Sequence, residues 1–343
     1  MRILRIVLLL VLLGLALVFP VLLSPNLAVT SVAIFTLIFA IAVTGWNMFS
    51  GYTGYISLGH AVYFGLGAYT IALGCQQFNI PGGYPPFLLL PLAGLVAGIF
   101  AIPLGWLALR VRRYVFIVVT IAFLFIFQLL AYNLKGITNG SAGVFLPLTS
   151  WSSDFFDLPF YYIALALLTL SILVSWRIRH SKYGLGLLSI RDDEDRALGL
   201  GVKTGAFKLG VYVISAIFVG MAGALYTYYV GITFPQFAFD PAVDVNLTLM
   251  AFLGGLGTLA GPILGAVLTE PLQQYLTLQF GVNSLSLVLF GGLLLLVLLF
   301  LPRGIVPSLQ DWWRSLRVFK QARLKSAPAT KQERTALVKK GEG

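Results

Sequence analysis

The feature that most constrains this chain is a recurring apolar stretch of about 20 residues, the length a helix needs to cross the hydrocarbon of a bilayer. Such stretches occupy residues 3–23, 27–49, 61–78, 87–109, 115–134, 159–176, 209–231, 259–278 and 285–301. Only 10% of the 343 residues are charged and 59% are hydrophobic, whereas soluble domains carry about 25% charged residues. The chain therefore reads as an all-α integral membrane protein, long enough for one helical membrane domain without an appended soluble one.

Breakers separate the stretches. Ser24, Pro25 and Asn26 end the first, and the turn-prone run 79–83 ends the third. Pro91 and Pro103 predict kinks in the fourth. Residues 135–158 read as a loop carrying Asp154 and Asp157. The N-terminal run resembles a signal peptide, but it exceeds an h-region of about 7–15 residues and no small-x-small cleavage site follows. Residues 1–26 are read as a retained first transmembrane helix. Cys75 is the single cysteine, so no internal disulfide is possible, and its apolar setting reads as a small buried hydrophobe.

A net charge of +11 raises nucleic acid as a partner, but the placement of the charges excludes it. Arg2 and Arg5, then Arg110, Arg112 and Arg113, then the set from Arg177 to Lys208 flank apolar spans, as the positive-inside rule requires. With Arg2 and Arg5 inside, alternation puts 110–113 and 177–208 in the cytoplasm and 135–158 and 240–244 outside. The tail 310–343 is basic and should also be cytoplasmic, which needs an odd number of further crossings. Residues 245–257 are short for a span, yet counting them as a crossing buried within protein restores parity. That predicts about ten helices, some short or broken, with both termini cytoplasmic. Trp312 and Trp313 fit an interfacial anchor. The rest of the tail reads as partly disordered, serving anionic lipid or simply enforcing topology.

Two glycine-rich segments interrupt the apolar pattern, one in each half. The first offers Gly51, Thr53, Gly54, Ser57, Gly59 and His60, and the second Gly254, Gly255, Gly257 and Gly261. Paired interruptions of this kind point to a translocation path; close helix packing is the competing explanation. For His60 taken singly, a hydrogen-bonded packing histidine is the plainer reading. A metal site is not expected, since His180 is the other histidine of the chain. Glu270 is the one acid placed deep in a predicted helix, with a structural or interfacial role favoured over a proton relay.

No nucleophile–base set, metal spacing or GxxxxGK[ST] phosphate loop occurs in the sequence. The chain is read as a non-enzyme that binds no cofactor of its own. The polar island 177–208 stands out instead. Residues 185–198 predict one short helix closed by Gly199 and Gly201. Leu187, Leu188, Ile190 and Leu198 would form its contact surface and the charged neighbours would steer a partner. A plain solvated loop is the alternative.

The motifs GYTGYISLGHAVYFGLGAY (51–69), YGLGLLSIRDDEDRALGLGV (183–202), KLGVYVISAIFVGMAGALY (208–226), FLGGLGTLAGPILGA (252–266) and LFLPRGI (299–305) resemble the permease subunits of branched-chain amino-acid ABC importers, from about residue 37 to 305. The resemblance implies a permease domain at 27–309, in the cell membrane of a prokaryote. It implies a second homologous permease in a pseudo-symmetric pair, two cytoplasmic ATPases that bind ATP and Mg, and an extracytoplasmic binding protein. The ATPase-coupling element it implies covers Ser189, Ile190, Arg191, Asp192, Asp193, Glu194, Ala197, Leu198 and Gly199. Asp195 and Arg196 depart from the small or apolar residues commoner there. The same machinery imports urea or short amides in some members. The rival of another class is a stand-alone ion-coupled carrier or channel, for which the spans supply too few ionisable groups.

Overall fold

A computed structural model describes residues 27–280 apart from 148 and 150, residues 303–309, and isolated positions near both ends. The expected spans at 3–23 and 285–301 and the tail beyond 312 lie outside the described residues.

The described chain is helical: α1 (Leu27–Thr53), α2 (His60–Gln77), a 3-10 turn (Pro85–Leu89), α3 (Leu90–Ala108), α4 (Arg113–Asn133), α5 (Lys135–Thr138), α6 (Ser153–Arg179), α7 (Lys182–Asp192), α8 (Glu194–Gly199), α9 (Thr204–Val230), α10 (Pro235–Ala238), α11 (Pro241–Gly254) and α12 (Gly261–Phe280). Six segments among them are long and apolar enough to cross a membrane: Ala28–Thr53, Pro85–Ala108, Arg113–Asn133, Phe155–Arg179, Thr204–Val230 and Pro235–Gly254. The chain is thus a multi-pass membrane protein. The short crossing expected at 245–257 is a 20-residue segment that starts ten residues earlier, at Pro235. Helices α2 and α12 form where spans were expected but are not among the six.

The centre of the bundle is the pair α1 and α9, packed on α2, α3, α6 and α12. Burial grades outward from it: 67% of the α9 span is enclosed within the protein, against 22% of the α4 span. α4 is therefore a peripheral helix with an exposed apolar surface. Small residues permit the central contacts. A Cβ on Gly67 of α2 would collide with the Gly220 carbonyl of α9, so the two backbones touch there.

Several expectations change. Pro91 sits in the first turn of α3, where its missing N–H costs nothing, and only Pro103 lies inside that helix. α6 begins at Ser153 rather than 159, placing Pro159 and Asp157 within a helix. The loop before it holds a two-residue strand, β1 (Val144–Phe145), paired antiparallel with β2 (Ile232–Thr233). The island is not one helix over 185–198. It is two, broken at Asp193, which turns extended and caps α8 by accepting from the amides of Asp195 (3.0 Å) and Arg196 (3.1 Å). At the far end of α8, Gly201 adopts φ +83°, and the amide of Val202 reaches back to the Ala197 carbonyl (3.0 Å), the closure a left-handed glycine allows.

Candidate functional site

The first glycine segment is a break between two helices. α1 ends at Thr53, Gly54 takes φ +74°, and the chain runs without helix until His60. Backbone without helical partners is tolerated at membrane depth only where protein supplies them. Here the indole of Trp46 donates to the Ser57 carbonyl (2.9 Å) and the Leu58 amide donates to the Thr120 hydroxyl (3.2 Å). The free amides that start α2 are met by Asp244, whose two oxygens accept from His60 (3.0 Å) and Ala61 (3.1 Å). A carboxylate there also lies at the positive end of the helix dipole.

His60 is fully buried between the Ser57 hydroxyl (2.9 Å) and the Ser215 hydroxyl (2.7 Å). Both ring nitrogens are occupied, so it is a packing histidine. Among the described residues no three His, Cys, Asp or Glu side chains gather as metal ligands would.

The second glycine segment follows α11, with Gly255 at φ +120° and Gly257 at φ +77°. The carboxamide of Asn47, on α1, brackets it. Its oxygen accepts from the Gly257 amide (2.8 Å) and its nitrogen donates to the Thr258 carbonyl (3.0 Å). The two segments, some 200 residues apart in sequence, therefore meet at the last turns of α1.

The polar island closes over this junction. Arg191 donates to the Gly51 carbonyl (2.8 Å) and Arg179, at the end of α6, donates to the Gly257 carbonyl. The start of α4 is tied in as well, with Arg113 donating to the Arg191 carbonyl (3.0 Å). Glu194 accepts from Lys208 (2.5 Å), at the start of α9, and from the Tyr55 hydroxyl of the first segment. Burial pushes the Glu194 carboxyl up, but the bonds from Lys208 and Tyr55 outweigh it and hold it below its ordinary value. Lys208 is 3% exposed, and its ammonium group is paired with Glu194 inside the protein.

Of the residues expected at the coupling element, Arg191 and Glu194 contact the first segment directly. Leu187 and Ile190 are fully buried and Ala197 nearly so, so they hold the island to the body and offer no surface. Ser189 bonds back to the Gly186 carbonyl (2.8 Å). Asp192, Asp195, Arg196, Leu198, Gly199 and Leu200 form the exposed face.

The residues that sequence reasoning missed are Asn47, Tyr55, Arg179, Lys208 and Asp244. The sequence places Asp244 in an outside loop; in the structure it is fully buried in the first turn of α11. Asp157, also assigned to a loop, is buried and accepts from the Tyr229 hydroxyl (2.9 Å). Glu270 is thus not the one acid in a span. A usable signal for Asn47 was its position inside an apolar run, where an amide needs a partner.

Comparison with known proteins matches residues 28–298 to the family described as branched-chain amino acid transport system, permease component. This chain belongs to that family. The permease is 30% identical, over 86% of its length and 73% of the relative's, to the high-affinity branched-chain amino acid transport system permease protein LivM of Escherichia coli. It is 30% identical to the LivM protein of Salmonella typhimurium over 80% of this chain and 69% of that one. A probable LivM of Methanocaldococcus jannaschii is 27% identical over 52% of this chain and 55% of that one. No solved structure gives a significant match. In the permease, then, the island grips both glycine segments through two arginines and one carboxylate.

Proposed function

We propose that this permease is one membrane-spanning half of an ABC importer for branched-chain or other small neutral amino acids, set in the inner membrane of a prokaryote. The other half is a second homologous permease. Two ATPases bind ATP and Mg on the island side, and a binding protein delivers substrate on the opposite side. About ten helices with both termini cytoplasmic fit the charge distribution, with the island facing the cytoplasm.

The observation that carries this reading is the pair of arginine bonds, Arg191 to Gly51 and Arg179 to Gly257, which ties the island to both helix breaks. The exposed face of α7 and α8 receives the ATPase. A displacement of α7 and α8 then acts on the unwound backbone at 54–59 and 255–260, which has φ/ψ freedom that continuous helix lacks. The protein contributes geometry and no bond chemistry. The path itself runs alongside the junction, since His60, Ser57 and the glycines are packed and hydrogen-bonded rather than open.

The test is substrate uptake and ATP hydrolysis in vesicles holding the whole importer. Arg191→Ala removes a charge-assisted bond worth about 1.5–3 kcal/mol. It is expected to lower leucine uptake at least about tenfold while the complex assembles and hydrolyses ATP. Asp193→Pro, which removes the α8 cap, should act in the same direction. Normal uptake in both variants overturns the coupling role. Competition by leucine, alanine and urea assigns the substrate.

A further inference from the structure

A cleft of about 290 Å3 opens between α1, α2, α9, α11 and α12, walled by Phe39, Phe64 and Tyr226 and floored by Glu270, Gln273 and Asn246; Asp240, which accepts from the Ala242 amide (2.8 Å), also lines it. Its volume is at the small end of ligand pockets, which start near 300 Å3. On α1, Phe39 is 12 positions before Gly51, or roughly 18 Å at 1.5 Å per residue. The cleft therefore lies well along α1 from the island, and the proposed topology turns it toward the side from which an importer takes its substrate.

The carboxylates of this protein differ in how they are neutralised. Glu194 has Lys208 and Tyr55. Asp244 has two helix-terminal amides. Asp157 accepts from the hydroxyls of Tyr229 and Thr30. Glu270 is 5% exposed and has one long bond, from the Gln274 amide at 3.4 Å. Beside it the side-chain oxygen of Gln273 is buried and accepts nothing. Between Lys208 and Arg303 the sequence has no lysine or arginine, so no cation from this stretch reaches Glu270. A buried charge without a partner costs several kcal/mol, and aromatic faces around it attract cations. Two unfilled acceptors inside an aromatic wall match an ammonium donor of small size.

We propose that this cleft is a binding site for the α-ammonium group of the permeating amino acid, with Glu270 as its counter-charge, Gln273 as a second acceptor, and Phe39, Phe64 and Tyr226 receiving the side chain. The proposal rests on the amino-acid import reading for the identity of the ligand. An ammonium group carries three donors and one charge, which is what Glu270 and Gln273 lack. An acid without an amine would place a carboxylate beside Glu270 and be repelled. The site thus distinguishes amino acids from their deaminated analogues within the membrane, after the binding protein has released them.

The experiment uses the assembled importer with Cys75→Ser and a reporter cysteine, Asn246→Cys or, as an independent position, Thr277→Cys, alkylated by a small maleimide. Saturating isopentylamine is expected to slow alkylation at least tenfold, and 4-methylpentanoate, the same skeleton with a carboxylate, to leave it unchanged. Glu270→Gln is expected to abolish the protection and Glu270→Asp to restore part of it. Absence of protection at both positions, equal protection in Glu270→Gln, or protection by 4-methylpentanoate overturns the site. Leucine uptake is measured in the same vesicles. Uptake without amine protection defeats the cleft and leaves the import reading standing. Protection without uptake of any small neutral amino acid supports an ammonium site and defeats the import reading.

Discussion

The loop junction and the Glu270 cleft are both polar regions inside an apolar protein, and they are built in opposite ways. At the junction, Asn47, His60, Asp244, Glu194 and Lys208 each have the partners their chemistry requires. In the cleft, Glu270 and Gln273 do not. An intramembrane polar group is by default a functional suspect, but the junction shows that most of these groups hold broken backbone in place. The useful discriminator is satisfaction. A fully bonded group is part of the scaffold that transmits movement, and an unfilled one is where a ligand can enter.

The largest test of this contrast is to break a satisfied pair. Lys208→Met leaves the part-buried Glu194 without its cation and is expected to destabilise the permease by about 3 kcal/mol, the low end for breaking a buried pair, read as loss of folded protein on thermal unfolding. The double variant Lys208→Met with Glu194→Leu should recover most of that loss. The same pair predicts a pH dependence. Glu194 is held below its ordinary value of 4.5, so its stabilisation is complete above that value and is lost as the pH falls through the depressed one. Wild-type stability should therefore drop below about pH 4.5 more steeply than that of the double variant. Unchanged acid sensitivity would mean that the pair does not titrate with unfolding.

A smaller effect is expected at the start of α2. Asp244→Ala removes the two bonds that cap it and should cost about 2 kcal/mol, whereas Asp244→Asn keeps one acceptor and should cost less. Equal losses would show that volume rather than capping matters. The smallest effect belongs to Arg112→Ala. Its bond to Asp195 is short (2.9 Å), but the two side chains are 78% and 66% exposed. Solvent screening limits such a pair to less than about 1 kcal/mol. A large loss of stability there would break the distinction between buried and exposed charge on the island.

Much of the architecture was legible in local pattern. The helices at 60–77, 90–108, 113–133 and 204–230 fall within a few residues of the apolar runs, because burial in lipid demands unbroken hydrophobicity along each span. The island was legible because charge is costly anywhere else. What misled was capping and context. Asp193 looked like one more charge in a helix, but its short side chain bonds the following amides and ends the helix instead. Pro159 looked like a helix start and is interior.

The sequence by itself determined that this is a multi-pass membrane protein of the branched-chain amino-acid permease family, with two broken segments and one polar island. Hydropathy, charge placement and motif order are properties of consecutive residues. Only the tertiary structure decided that Gly51 and Gly257 meet at Asn47, that Arg179 and Arg191 hold them, and that Asp244 caps a helix while Glu270 is buried with a single long bond. Those bonds join positions 78 to 211 residues apart. Whether a buried polar group is satisfied depends on such distant neighbours, and no local pattern records them.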